Sequence, residues 1–366
     1  FGGFSWIEFR QNDVIVNPIQ LQRDILLELE YNLMLFRLGD NRSSSDIQKK
    51  LMQGIKSSKD NNKSFAKMID LSINMKEALL KGKVKTFGDM LHESWLIKQE
   101  MSKFGSIHPS SIVSSDAKIG DQVNIGPYSV IGPNVEIGEN VVVHSHVNIS
   151  GYTKIGNRNI IYPFASIGND PQDLKYNGEK TSLVIGDNNK FREYVTVNPG
   201  TSGGGEVTKI GNNCLFMISS HIAHDCQIGN NVIIANNVPL GGHVTIEDNV
   251  VIGGNSAVQQ FTRIGKLAMI GGMTGVLKDV IPFGLSIGNR NYLQGLNLIG
   301  LRRANYNNKD ILGLSEAYKK IFATKNLTDN LNKLNGSFKE NPLVKDVIEF
   351  ITKDKKRSIC TPFSKE

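Results

Sequence analysis

The chain has 366 residues, 39% of them hydrophobic, and carries 42 Lys and Arg against 35 Asp and Glu, a formal net charge of +7. That length and composition fit a globular protein and allow two or three domains with buried cores. Neither a run of about 18 apolar residues nor a basic-then-apolar leader appears, so we expect a protein without a membrane span that is not secreted.

Three cysteines, Cys214, Cys226 and Cys360, have no zinc or redox spacing and make a poor disulfide framework, which fits a reducing cytoplasm. The positive charge attracts an acidic partner without saying which kind. The chain opens on Phe1 and not methionine, as a fragment or a processed product would.

In chain order, FSWIEFRQNDVIVNP alternates like strands, and LQRDILLELEYNLMLF, FAKMIDLSINMKEALLKG and FGDMLHESWLIKQEMS repeat apolar residues at helical spacing. SSKDNNKS between the helical stretches reads as a solvated loop. Residues 1–102 thus form an α+β fragment, and nothing in them repeats.

From Ile107 an aliphatic residue recurs every six positions through Ile167, eleven matches in succession. The period resumes at Ile185, Phe191 and Val197, and runs again from Ile210 to Val276. Such a hexad is one short flat strand plus a corner of a parallel β-helix, with the aliphatic residue pointing into a narrow prism. Four residues further on, a second inward slot holds small or β-branched residues: Ala117, Val123, Ser129, Val135, Cys214, Ser220, Cys226, Val232 and Val238. Overfilling that slot would cost about 1–3 kcal/mol, so Cys214 and Cys226 are read as core fillers. Gly, Asn and Asp gather between the slots, where corners need positive φ.

Two segments leave the period, Asn169 to Val184 and Asn198 to Lys209, and loops on so regular a scaffold usually carry function. The run Gly203–Gly205 lacks the Lys-Ser/Thr and helix of a phosphate loop. After Ile281 the spacing turns helical in LGLSEAYKKIF and NPLVKDVIEFITKDKK, which makes 103–281 a β-helix domain and 282–366 a helical domain covering its end.

The hexads resemble those of the left-handed parallel β-helix family, whose coil takes three of them, which implies that positions 18 apart stack at roughly 4.8 Å. His224, Gly242 and Gln260 share one column, and Asp225, His243 and Phe261 the next. His221, His224 and His243 lie within 23 residues, and a zinc reading is set aside because Cys226 points inward and leaves too few ligands. The better reading is a general base at His224, with Asp225 fixing its tautomer. The missing side chain at Gly242 leaves room for a substrate and exposes an N–H for an oxyanion.

HIAHDCQIGNN, ANNVPLGGHVTI, IGGNSAVQQF, GLNLIGLRR and the QDLKYNGE loop resemble the bacterial UDP-N-acetylglucosamine acyltransferases, the first enzymes of lipid A synthesis, over residues 101–366. Met101 would make a sensible start for such a protein alone. The resemblance implies a mainly β, left-handed parallel β-helix with a C-terminal helical domain, a homotrimer with its site between subunits, and no cofactor. It implies that His224 deprotonates the 3-hydroxyl or 3-amine of a UDP-sugar acceptor, that Asp225 orients it, and that the Gly242 N–H binds the oxyanion. His221, His243, Gln260, Asp173 and Lys175 match sugar- and phosphate-contacting positions, and Asn297 and Arg303 match nucleotide-holding ones. Gly272 falls where the family measures acyl length, and a glycine there implies a longer chain. The donor is an acyl carrier protein, an acidic partner toward which Arg263 and Lys266 would steer; no nucleic acid is implied. Gln259, Ile299 and Ala304 depart from common family residues, which leaves hydroxyl against amine open.

FGGFSWIEF, LELEYNLMLF and GDMLHESWLIKQEMS resemble the middle-to-late part of heptose-phosphate kinases of the galactokinase and mevalonate kinase superfamily. The nucleotide loop and the final Gly-rich motif of those kinases have no counterpart here, so this segment reads as a truncated or fused remnant. Three other readings of the whole chain stay open: a later-step UDP-3-acyl-glucosamine N-acyltransferase, a non-enzymatic β-helix scaffold, and a working kinase–acyltransferase.

Overall fold

A computed structural model describes residues 4–10, 13–32, 59–101, 106–334, 336–353 and 356–363. The chain divides into two compact units, Phe1–Phe104 and Gly105–Glu366.

In the first unit β1 (Ser5–Arg10) and β2 (Asp13–Pro18) form an antiparallel hairpin, followed by α1 (Arg23–Asn32), α2 (Lys59–Leu80) and α3 (Val84–Met101). Leu29, Leu79 and Val84 make a small core with Phe4, Leu21, Ile25 and Phe87. Residues 33–36 of the first helical stretch lie outside the described residues. The expected loop SSKDNNKS is corrected from Lys59 onward, because KDNNKS starts α2. Asn, Asp and Ser cost only some tenths of a kcal/mol each in a helix, and a polar run looks the same on a solvated helix face as in a loop.

In the second unit strands β3 to β27, from Ile112 to Val276, wind into three parallel sheets of eight, nine and eight strands, the walls of a left-handed parallel β-helix. Register follows the hexads, with Lys118 opposite Glu136 and Asn124 opposite Val142, 18 residues apart. Both inward slots close as the pattern requires: Ile131, Ile149 and Ile167 are at most 1% exposed, and Ser129, Val135, Ser220, Cys226, Val232 and Val238 are fully covered. Phe191 and Phe216 take the aliphatic slot on adjacent rungs and stack at 4.8 Å.

Glycine after the aliphatic residue has a specific cause at one corner. Asn157 Oδ1 accepts from the Glu139 N–H at 2.8 Å, Asp187 Oδ1 from Asn157 at 2.7 Å and Asn212 Oδ1 from Asp187 at 2.7 Å, so each side chain caps the rung before it. A Cβ on Gly138 would meet Asn157 Oδ1 at 2.5 Å. The left-handed corner residue is Asn at several corners, among them Asn140, Asn213 and Asn249, as expected. On a second corner it is Tyr128, His146, Phe164 and Tyr194, whose rings follow one another at 5.0–5.1 Å.

The two irregular segments are loops inserted between rungs. Tyr152 pairs with Ser182, thirty residues on, so the first loop adds twelve residues to its coil; Thr196 pairs with His221, and the second adds seven. Helical structure does not begin directly after Ile281. Strands β28 (Gly284–Ile287) and β29 (Tyr292–Leu296) form an antiparallel hairpin that extends the sheet ending in β26 from eight strands to ten, and the helices start with α4 (Leu298–Arg303). Then come α5 (Asn308–Ile321), α6 (Leu327–Asn332), α7 (Gly336–Glu340) and α8 (Pro342–Thr352), whose Leu314, Ile321, Val344 and Val347 join the core of the coil. Among the described residues no helix is long and apolar enough to cross a membrane.

Candidate active site

His221 and Ile222 are a two-residue strand; Ile222 is fully buried, which turns His221 outward, and the following corner carries His224 and Asp225. Asp225 has φ +59, a left-handed conformation that Asp tolerates because its short side chain bonds locally. Its carboxylate is fully covered and takes three donors: the Thr201 N–H at 3.0 Å, the Thr201 hydroxyl at 2.6 Å and His224 Nδ1 at 2.8 Å. Its own N–H donates to Thr208 Oγ1 at 2.8 Å. With Nδ1–H given to Asp225, the free lone pair of His224 is on Nε2, the arrangement of a general base.

Gly242, one rung along, faces that ring. A Cβ there would lie 2.5 Å from His224 Cε1 and 2.6 Å from Nε2, so only glycine leaves the reactive nitrogen open. Among the described residues the Gly242 N–H donates to no other group, while its carbonyl accepts from Phe261. His224 Nε2 and a residue whose N–H has no acceptor among the described residues therefore lie side by side.

His243 stands edge-on to His224, 88° between rings and 5.1 Å between centroids, with Nδ1 3.9 Å from Asp225 Oδ2. Burial pushes its protonation below the usual range; Asp225 opposes this, His224 and Lys356 add to it, and Asp173 opposes it. His221 Nδ1 shares a 2.7 Å hydrogen bond with Thr196 Oγ1, and burial, then His224, push its protonation down as well. Both rings are thus biased toward the neutral form, which can both donate and accept a hydrogen bond. The nitrogens and carboxylate of His224, Asp225 and His243 lie within 4.8 Å of one another. Both oxygens of Asp225 are already bonded to Thr201, so we read the trio as a hydrogen-bonded unit and not as a ligand set.

The remaining residues are placed differently. Gln260 is exposed on the next rung. Asp173 is in the first loop, where its Oδ1 accepts from the Lys175 N–H at 3.1 Å, and Lys175 is exposed. Gly272 is exposed, and a Cβ there would meet only Gly254 O at 3.3 Å. Asn297 caps α4 by accepting from the Gly300 N–H at 3.0 Å and donates to Leu267 O at 2.9 Å, while Arg303 is exposed in the last turn of that helix. Among the described residues no hydrogen bond or ion pair joins Gly272, Asn297 or Arg303 to the histidine row.

Reading the sequence missed Thr196, Thr201, Thr208 and Gly204. The backbone of Gly204 passes so close to the Asp225 carboxylate that a Cβ would overlap it, which gives the glycine run a role unrelated to phosphate. The only signal was that the second loop leaves the coil just before the motif. That loop is tied to the first through Glu179, which accepts from the Ser202 N–H at 3.2 Å and hydroxyl at 3.1 Å. Backbone N–H groups of Asn177, Glu179 itself and Ser202 pull the Glu179 carboxyl down to about 2. Steering by Arg263 and Lys266 is corrected. Arg263 is bound to Asp279 at 2.8 Å and lies over Phe350, and Lys266 pairs with Asp346 at 2.6 Å, so both fasten the coil to α8.

Comparison with known proteins follows the same outline. A family model described as UDP-N-acetylglucosamine O-acyltransferase, domain 2, matches residues 279–360, and one for bacterial transferase hexapeptides matches 116–151 and 208–242. The chain is 48% identical to the acyl-[acyl-carrier-protein]–UDP-N-acetylglucosamine O-acyltransferase of Aliarcobacter butzleri over 252 residues, 69% of this chain and 96% of that protein. With the protein of the same name from Rickettsia bellii it shares 49% over 257 residues, 70% and 92% of the two chains. The crystal structure of UDP-N-acetylglucosamine O-acyltransferase from Moraxella catarrhalis superposes with a TM-score of 0.67 at 42% identity, covering 69% of this chain and 98% of that one.

Proposed function

Since the chain belongs to the UDP-N-acetylglucosamine O-acyltransferase family, we propose that it moves a 3-hydroxyacyl group from acyl carrier protein to the 3-position of UDP-N-acetylglucosamine or its 3-amino analogue, the first step of lipid A synthesis. The observation that carries the reading is His224 held through Nδ1 by the buried Asp225, with Gly242 leaving Nε2 open. In this reading Nε2 takes the proton as the acceptor oxygen or nitrogen attacks the thioester carbon. The Gly242 N–H binds the resulting oxyanion, and collapse expels the carrier thiolate, which recovers a proton from His224. The hydrogen bond to the buried Asp225 carboxylate supplies orientation, and the scheme needs no cofactor.

His221, His243, Gln260, Asp173 and Lys175 line the acceptor's sugar and phosphates, Arg303 reaches its pyrophosphate from the helix that Asn297 caps, and Gly272 marks the end of the acyl groove. The active form is a cytoplasmic homotrimer; the exposed aromatic corner Tyr128, His146, Phe164 and Tyr194 supports a subunit contact, since such a row is otherwise left in water. The working division is 103–281 for the coil and 282–366 for the C-terminal domain, with 1–102 a kinase-like segment that has no part in the transfer. The test is a mass-spectrometric assay that offers UDP-N-acetylglucosamine and its 3-amino analogue with a panel of hydroxyacyl carrier proteins. Acylated UDP-sugar is expected, and no product from any pair would reject the reading.

A further inference from the structure

After α8 the chain returns to the coil. The Asp279 N–H donates to Ser358 O at 2.9 Å, the Cys360 N–H to Asp279 O at 2.7 Å and the Leu293 N–H to Thr361 O at 2.9 Å. This strap sets two cations beside the histidine row. Arg357 Nε donates to Gln260 O at 3.0 Å, and Lys356 Nζ lies 4.4 Å over the ring of Phe261.

Phe261 is stacked on His243 with centroids 4.3 Å apart and planes 8° from parallel. An ammonium and an imidazole at these distances cannot share one face of a phenyl ring, so they sandwich it. Phe261 has φ +66 and His243 φ +61, conformations that cost a bulky residue about 1–2 kcal/mol, so the stack is held against a local backbone preference. A cation on one face polarises the ring toward itself and repels a second positive charge across it, so a cation on the other face is disfavoured.

The charged and titratable groups facing His243 are Asp225 and His224 from the preceding rung, Asp173 from the first loop and Lys356 from the strap. Were His243 protonated, its Nδ1, 3.9 Å from Asp225 Oδ2, would compete for the carboxylate that holds His224 at 2.8 Å. We propose that Lys356 is a positioning residue: seated on Phe261, it disfavours a second cation on the other side of the ring and so leaves His224 the one histidine bonded to Asp225. The proposal rests on the acyl-transfer reading for its consequence, and on the sandwich for its cause.

The test uses the full chain, with the ring of His243 titrated by NMR and kcat/KM followed against pH in Lys356→Met, Lys356→Arg and the same changes on a Phe261→Leu background. Lys356→Met should raise the pH at which His243 protonates and lower kcat/KM about twofold near about pH 6 while sparing the alkaline plateau, the size expected of one screened charge two ring-spacings away. Lys356→Arg should behave as the parent, and without the Phe261 ring Lys356→Met should add nothing. An unmoved His243 titration, or a loss of kcat/KM equal at every pH, would overturn the proposal. The NMR titration reads the sandwich whatever the protein acylates, so failure of the functional reading is seen separately as absence of product in the parent.

Discussion

Gly242→Ala isolates the placement of the base from its chemistry. Gly242 has a backbone conformation that alanine adopts, and its new Cβ would stand 2.5 Å from His224 Cε1, 2.6 Å from Nε2 and 3.1 Å from Nδ1. Ordinary contacts begin near about 3.4 Å, so the ring must move by about 1 Å, and a shift of that size breaks the 2.8 Å bond to Asp225. A misplacement of about 1 Å typically costs about 10²-fold in rate, whereas losing one charge-assisted hydrogen bond costs about 1.5–3 kcal/mol of stability. Alanine keeps the N–H, so the oxyanion donor survives and the loss belongs to the base. Steady-state acyl transfer should show kcat down about 10²-fold, with the circular dichroism spectrum unchanged. Gly254→Ala is the control, since its Cβ would meet nothing closer than Asn236 O at 3.5 Å, and its activity should stay within about twofold of the parent. The double variant His224→Ala/Gly242→Ala should be no slower than His224→Ala alone, because both act on one group. Multiplicative losses in the double variant, or a fully active Gly242→Ala, would refute the reasoning.

Three further outcomes follow from the same geometry. His224→Ala should reduce acyl transfer at least about a hundredfold while the oligomer on a sizing column is unchanged; near-normal turnover would remove the base. Gly272→Met, which fills the open surface beside Gly254, should move preference toward shorter acyl donors, and an unaltered chain-length profile would end its role as a ruler. Arg263→Met takes the charged partner from the fully buried Asp279 carboxylate while leaving it the backbone N–H of residue 263, and should cost about 3–5 kcal/mol in urea unfolding of the coil and its helices; a change below about 1 kcal/mol would show that the latch is dispensable.

How far the sequence alone reaches depends on whether a feature is periodic. The hexads made the prism and its inward slots legible, because each rung repeats the same packing problem and leaves the same residue types behind; the 18-residue columns came with the resemblance to the left-handed β-helix family. The pairing of His224 with Asp225, and their alignment with Gly242, followed from that register together with the motif. What could not be read was every contact that crosses the period: Thr201 and Gly204 reach Asp225 from an inserted loop, and Lys356 reaches Phe261 from a terminal strap nearly a hundred residues on. The same blindness put Arg263 and Lys266 on a docking face, since charge type does not reveal a partner that folding supplies. A polar run such as KDNNKS is equally silent, for water solvates a loop and the outer face of a helix alike. Local repetition determined the scaffold and set His224, Asp225 and Gly242 side by side, and tertiary structure decided what holds Asp225, because Thr201 and Thr208 reach it from positions whose distance along the chain carries no pattern.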